Sequence, residues 1–104
     1  MERVCFVLEI APGTEQEYRQ RHDDIWPEMA QAIRDSGISN MTGFRRGTDV
    51  YYYAECEPDV ATAFRRLGET DVNTRWGESF EGVITRITDE SGNLQYAAEV
   101  FHLD

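Results

Sequence analysis

Tyr18, His22 and Trp26 lie four residues apart in the segment EYRQRHDDIWPEM (17–29). On a helix that spacing stacks Tyr18 and His22 on one face. An imidazole, with an unperturbed pKa of about 6.5, is the side chain best fitted to give and take a proton near neutrality. A phenol and an indole beside it are groups that hold a small polyol: aromatic planes cover C–H faces and polar tips fix hydroxyls. The same spacing also describes a half-buried histidine between two core aromatics, because Ile25 and Met29 continue the stripe inward. Spacing alone favours that plainer reading, and the break at Pro27 leaves the direction of Trp26 open. Trp76 is the second candidate, set between Arg75 and Gly77 in a stretch of few apolar residues. It reads equally as a core plug or as the wall of a site.

Other chemistries find little support. Two histidines, His22 and His102, with no HExxH and no paired CxxC, make a poor metal-ligand set. No glycine-rich phosphate loop and no GxSxG elbow occurs. Cys5 and Cys56 fall inside strand-like runs, away from the exposed electropositive setting that a thiolate nucleophile needs, and read as two reduced core thiols. Glu9, Glu55 and Glu99 also fall in strands, where an inward carboxylate would need a partner.

The elements that must position these side chains follow from periodicity. In RVCFVLEI (3–10), Val4, Phe6, Leu8 and Ile10 alternate with Arg3, Cys5, Val7 and Glu9, which predicts a strand with one buried face. After Pro12-Gly13, Thr14 with Glu17 predicts a capping box and a helix through EYRQRH. Asp24 is the expected cap of a second helical piece, with Pro27 in its first turn and a stop at Ser36-Gly37. Residues 38–46 and 50–56 (VYYYAEC) read as a hairpin about Gly47-Thr48-Asp49. Asp59 is expected to cap a helix carrying Val60, Phe64 and Leu67, and Thr70 a shorter one carrying Trp76 and Phe80. Residues 81–93 read as irregular and 94–103 as a last strand. The order predicts an α+β, ferredoxin-like βαββαβ fold: four antiparallel strands with helices on one face. Phe44, Tyr51, Tyr53, Tyr96 and Phe101 are more aromatic surface than one small sheet can hide, so a homodimer through the open face is expected.

The chain has 104 residues, enough for one domain over 1–104 with its own core. Ten Lys and Arg stand against 20 Asp and Glu, a formal net charge of −10. That balance argues against a nucleic acid or an anionic membrane as partner, since both call for surplus cations. The start, MERVCFVLEIAPG, does not read as a signal peptide, and no run reaches the ~18 apolar residues of a membrane span, so the expected location is the cytoplasm.

The segments EYRQRHDDIWPEM (17–29), TDVNTRW (70–76) and EVFHL (99–103) closely resemble the L-rhamnose mutarotases, and RVCFVLEIAPG resembles the first strand of that family. The resemblance runs the length of the chain in order. It implies a cytosolic homodimeric α/β barrel that interconverts the α and β anomers of L-rhamnose without a cofactor. It also implies that His22 is the proton donor and that Tyr18 and Trp76 contact the sugar, with Trp26 a further candidate contact. Two positions depart from the family pattern: Met41 stands where a tyrosine is usual, and Gly77 where a second tryptophan is usual. Both implied positions belong to the sugar pocket, so Met41 and Gly77 are expected to tune which sugar is accepted, with L-fucose the competitor to L-rhamnose.

Mutarotation requires that the anomeric hydroxyl lose a proton and the ring oxygen gain one, so that the ring opens, the C1 carbonyl turns and the ring recloses. His22 supplies one transfer; Tyr18, a carboxylate or water supplies the other. The competing classes are a non-catalytic sugar-binding or dimerisation module, and a cofactorless oxygenase, since such folds host many chemistries.

Overall fold

The computed structural model describes residues 1–104. The chain runs β1 (Glu2–Ile10), α1 (Glu15–Asp23), α2 (Pro27–Asp35), β2 (Ile38–Arg46), β3 (Asp49–Cys56), α3 (Val60–Gly68), α4 (Asp71–Glu78), β4 (Ile84–Arg86) and β5 (Gln95–Ala97). The strands form one antiparallel sheet in the order β2-β3-β1-β4, with β5 also on β1. β3 takes one edge of β1 over Glu2–Glu9; β4 pairs with Glu9 and Ile10, and β5 with Cys5–Val7, so the two short strands lie end to end along the other edge. Together they occupy the place of the fourth ferredoxin-like strand, and the helices cover one face.

The alternation in β1 holds: Val4, Phe6, Leu8 and Ile10 are buried and their neighbours are not. The core divides into two clusters on the helix side. Val4, Ile38, Ala54 and Cys56 meet Met29 of α2 and Ala63 and Leu67 of α3. Phe6, Leu8, Ile10 and Val50 meet Tyr18 of α1 and Phe80 and Val83 beyond α4. Met41, Phe64 and Trp76 pack against both clusters and mark the seam between them.

Several local expectations are corrected. Thr14 forms no capping box: its hydroxyl donates to the Ala11 carbonyl, and Glu17 pairs instead with Arg21 at 2.6 Å. Asp24 ends α1 rather than starting α2; its carboxylate accepts from Gln20, and Trp26 is the N-cap with Pro27 at the first helical position. Residues 81–93 contain the short strand β4, whose three residues are too few for a pattern to show. The last strand stops at Ala97, opposite Cys5 and three residues short of the Glu2 end of β1; 98–104 carry no strand, and there Glu99 is held by the Arg3 side chain instead. Cys5 is not a core thiol; it lies half-buried on the open face, whereas Cys56 is fully buried, and both are free. Tyr96 sits opposite Phe6 and so belongs to the helix side, while Tyr51, Tyr53 and Phe44 share the open face.

The other predicted stops hold. Asp59 and Thr70 cap α3 and α4, accepting from the Thr62 and Asn73 amides. Gly37, at φ +99°, ends α2 with the Glu57 carbonyl lying where a side chain would begin, and its own carbonyl accepts from the Glu57 amide at 2.9 Å. No helix is long and apolar enough to cross a membrane.

Candidate active site

Three elements bring the predicted residues together. α1 presents Tyr18 and His22 on its inward face; their rings lie 4.4 Å apart, tilted by 31°. α4 brings Trp76 edge-on to His22 at 5.5 Å, and Phe80 just beyond that helix closes on His22 at 5.2 Å. Arg21 joins the two helices: its guanidinium donates to the Ser79 carbonyl, pairs with Glu17 and lies 5.2 Å over the Phe80 ring. β3 supplies Tyr52, whose hydroxyl is 2.6 Å from that of Tyr18.

Tyr18, His22, Tyr52, Trp76 and Phe80 line a cleft of about 1350 Å³ along the seam of the core, together with Met41, Phe64 and Gly77. Of the predicted site residues, Tyr18, His22, Trp76, Met41 and Gly77 all line it. Trp26 does not; its indole abuts Trp76 at 5.0 Å with Arg75 stacked 5.8 Å over its outer side, so it braces the wall from behind. At Gly77 an added Cβ would meet nothing within 4 Å, so the wall is open there.

The electrostatics of His22 follow from its contacts. Its Nδ1 lies 3.0 Å from the Tyr18 carbonyl, which can only accept, so Nδ1 carries the proton and Nε2 is the nitrogen left for the cleft. Burial among aromatic rings lowers the imidazole pKa below its ordinary value; the Tyr18 carbonyl and Asp23 oppose that only in part. The ring is therefore a neutral base at neutral pH. Burial raises the Tyr18 phenol strongly, with the neighbouring Tyr52 adding to it, and raises Tyr52 as well. Both phenols stay protonated.

Tyr52 is the member of this cluster that the sequence reading does not single out. Three tyrosines stand in a row in VYYYAEC, and only phase distinguishes them. Tyr52 is in step with Val50, Ala54 and Cys56, which are buried, so it is the one phenol of the three that points to the helix side. Tyr53 instead donates to Glu55 at 2.7 Å on the open face. No group of three or more His, Cys, Asp or Glu side chains converges as a ligand set.

The family model for L-rhamnose mutarotase matches residues 3–103. A protein from Burkholderia ambifaria named L-rhamnose mutarotase is 33% identical over 104 residues, covering all of both chains. One from Acidiphilium cryptum, of the same name, is 32% identical over 103 residues, covering 99% of each. The crystal structure of an L-rhamnose mutarotase from Formosa agariphila superposes with a TM-score of 0.80 at 21% identity, covering all of both chains. The superposition confirms the fold.

Proposed function

Because the chain belongs to the L-rhamnose mutarotase family, we propose that it interconverts the α and β anomers of a 6-deoxy aldose, L-rhamnose first, by general acid/base catalysis through His22. One observation carries the reading. The His22 ring is held by its Nδ1 on the Tyr18 carbonyl, and its free nitrogen serves an aromatic cleft that also holds a phenol pair. In the neutral ring Nε2 takes the proton of the anomeric hydroxyl. The C1 carbonyl forms, the bond from C1 to the ring oxygen breaks, and the ring oxygen takes up a proton. The carbonyl turns, the steps reverse, and the imidazolium returns its proton, so no proton is gained or lost overall.

Tyr18 and Trp76 hold the sugar, the phenol on a hydroxyl and the indole against C–H groups. Trp26 acts through Trp76. Burial holds both tyrosines in the protonated form, and a carboxylate has no proton to give, so water delivers the proton that the ring oxygen gains. Two proton transfers need no cofactor. Met41 and Gly77 adjust the wall of the pocket, and the open space at Gly77 keeps L-fucose as the alternative substrate. The whole chain, 1–104, works as one domain, as a homodimer through the open sheet face. The cytoplasm suits its two free thiols.

Saturation-difference NMR across several aldoses tests the reading. An enzyme raises the anomer exchange rate of L-rhamnose or L-fucose above that of buffer. A sugar-binding module leaves every exchange rate at its buffer value and would overturn it.

A further inference from the structure

We propose that Tyr52 is a further residue of the sugar site, a positioning residue that acts through Tyr18, the two hydroxyls forming one unit that offers a single O–H to a substrate hydroxyl. The inference rests on the mutarotase reading above and deepens it.

The two phenols meet at 2.6 Å, and neither has another protein partner. In such a pair one hydroxyl donates to the other, so one proton is spent within the pair and one is left for the cleft. The bond also joins α1 to β3, so the Tyr18 hydroxyl is fixed relative to the sheet rather than only to its own helix. Tyr52 is itself held on two sides. Its ring stacks on Phe6, its cross-strand neighbour, at 5.4 Å and 21°. On the other strand it lies across Gly43, where an added Cβ would come within 2.7 Å of the Tyr52 ring. Stacking on Phe6 needs only a ring. A hydroxyl brought into this setting costs free energy unless it finds a partner, and here the partner is the Tyr18 hydroxyl beside His22. The Tyr52 ring lies 6.2 Å from that of His22, close enough for one sugar to span both.

A four-protein cycle tests this: wild type, Tyr18→Phe, Tyr52→Phe and the double variant, with kcat and KM for L-rhamnose read from NMR anomer exchange and each fold checked by thermal melting. Tyr52→Phe should raise KM roughly three- to tenfold, the range for one lost hydrogen bond. Its kcat should stay within about twofold, because His22 is intact. The double variant should match Tyr18→Phe alone, as expected when two groups act as one unit. Gly43→Ala, which pushes the Tyr52 ring off its seat and leaves every hydroxyl in place, should raise KM in the same direction even if Tyr52→Phe folds poorly. An unchanged KM in a folded Tyr52→Phe overturns the proposal, and so do losses that multiply in the double variant. If the wild type binds L-rhamnose without turning it over, Kd from calorimetry replaces KM in the same comparison. A wild type that neither binds nor turns over L-rhamnose or L-fucose overturns the mutarotase reading and this inference together, whereas an active wild type with an indifferent Tyr52→Phe overturns the inference alone.

Discussion

His22 is kept neutral by the rings of Tyr18, Trp76 and Phe80 around it, and that has two consequences for pH. The catalysed part of the exchange rate should rise with pH through the lowered imidazole pKa and be level above the ordinary value of 6.5. For stability, a folded-state pKa below the unfolded value means that the unfolded chain binds more protons between the two. The His22 contribution is therefore present above 6.5 and is lost as pH falls toward the folded value. Urea unfolding of wild type and His22→Gln over that range checks the sign: the wild type should lose more stability on acidification. At Met41 and Gly77 the expected effect is on choice of sugar. Neither side chain can carry a proton, whereas a gained hydroxyl or an apolar wall changes discrimination, walls alone by about 1–3 kcal/mol. Met41→Tyr with Gly77→Trp should move the ratio of exchange rates toward L-rhamnose over L-fucose; an unchanged ratio in a folded, active variant would remove both positions from the choice. The Tyr18–His22 pair was legible because helical spacing alone stacks the two side chains. Tyr52 was not, because three adjacent tyrosines carry no mark of their own, and only their phase relative to Val50 and Ala54 separates them.

The helices do not converge on the cleft by their own propensity; they are fastened there. α4 starts on the Thr70 hydroxyl, which accepts from the Asn73 amide and donates to the Leu67 carbonyl at 2.7 Å, so one side chain joins the end of α3 to the start of the helix bearing Trp76. Thr70→Ala should cost about 0.5–2 kcal/mol, the usual loss for a helix cap, read as a lower urea midpoint at unchanged slope. KM should rise with it if the Trp76 wall loosens. The caps at Asp59 and Thr70 were legible because each is a capping residue type set at the start of a helical run. Thr14 with Glu17 offered a capping-box signal, yet the Thr14 hydroxyl is taken by the Ala11 carbonyl, a turn contact that the sequence does not reveal. The alternation in 94–103 likewise promised a full strand, but past Ala97 the ladder to β1 gives way to the side-chain contact between Arg3 and Glu99, which periodicity does not reveal.

The whole molecule leaves apolar surface in water on the face away from the helices and along its C-terminal tail. Phe44 is 64% exposed, and in the tail Val100, Phe101 and Leu103 are 92%, 77% and 80% exposed. Arg3 holds the start of that tail by a paired contact to Glu99 at 2.6 and 3.2 Å, beside the open face. A second copy of the chain would cover both features. Sedimentation at micromolar concentration should give twice the 12.0 kDa chain mass, and Phe44→Asp should shift it toward the monomer. A wild-type monomer would contradict the homodimer. The aromatic excess was legible in composition, but its division between the two faces was not: Tyr96 counts with the cleft, since its register opposite Phe6 turns it to the helix side.

In the proposed reaction one imidazole, that of His22, moves the proton. Saturation-difference NMR of L-rhamnose with wild type and with His22→Ala, each at the same concentration and each checked for folding, tests it most directly. The wild type should exchange the anomers well above the buffer rate, and His22→Ala should lose about 10²–10⁴-fold in the catalysed part. A folded His22→Ala protein that exchanges the anomers as fast as the wild type would contradict it.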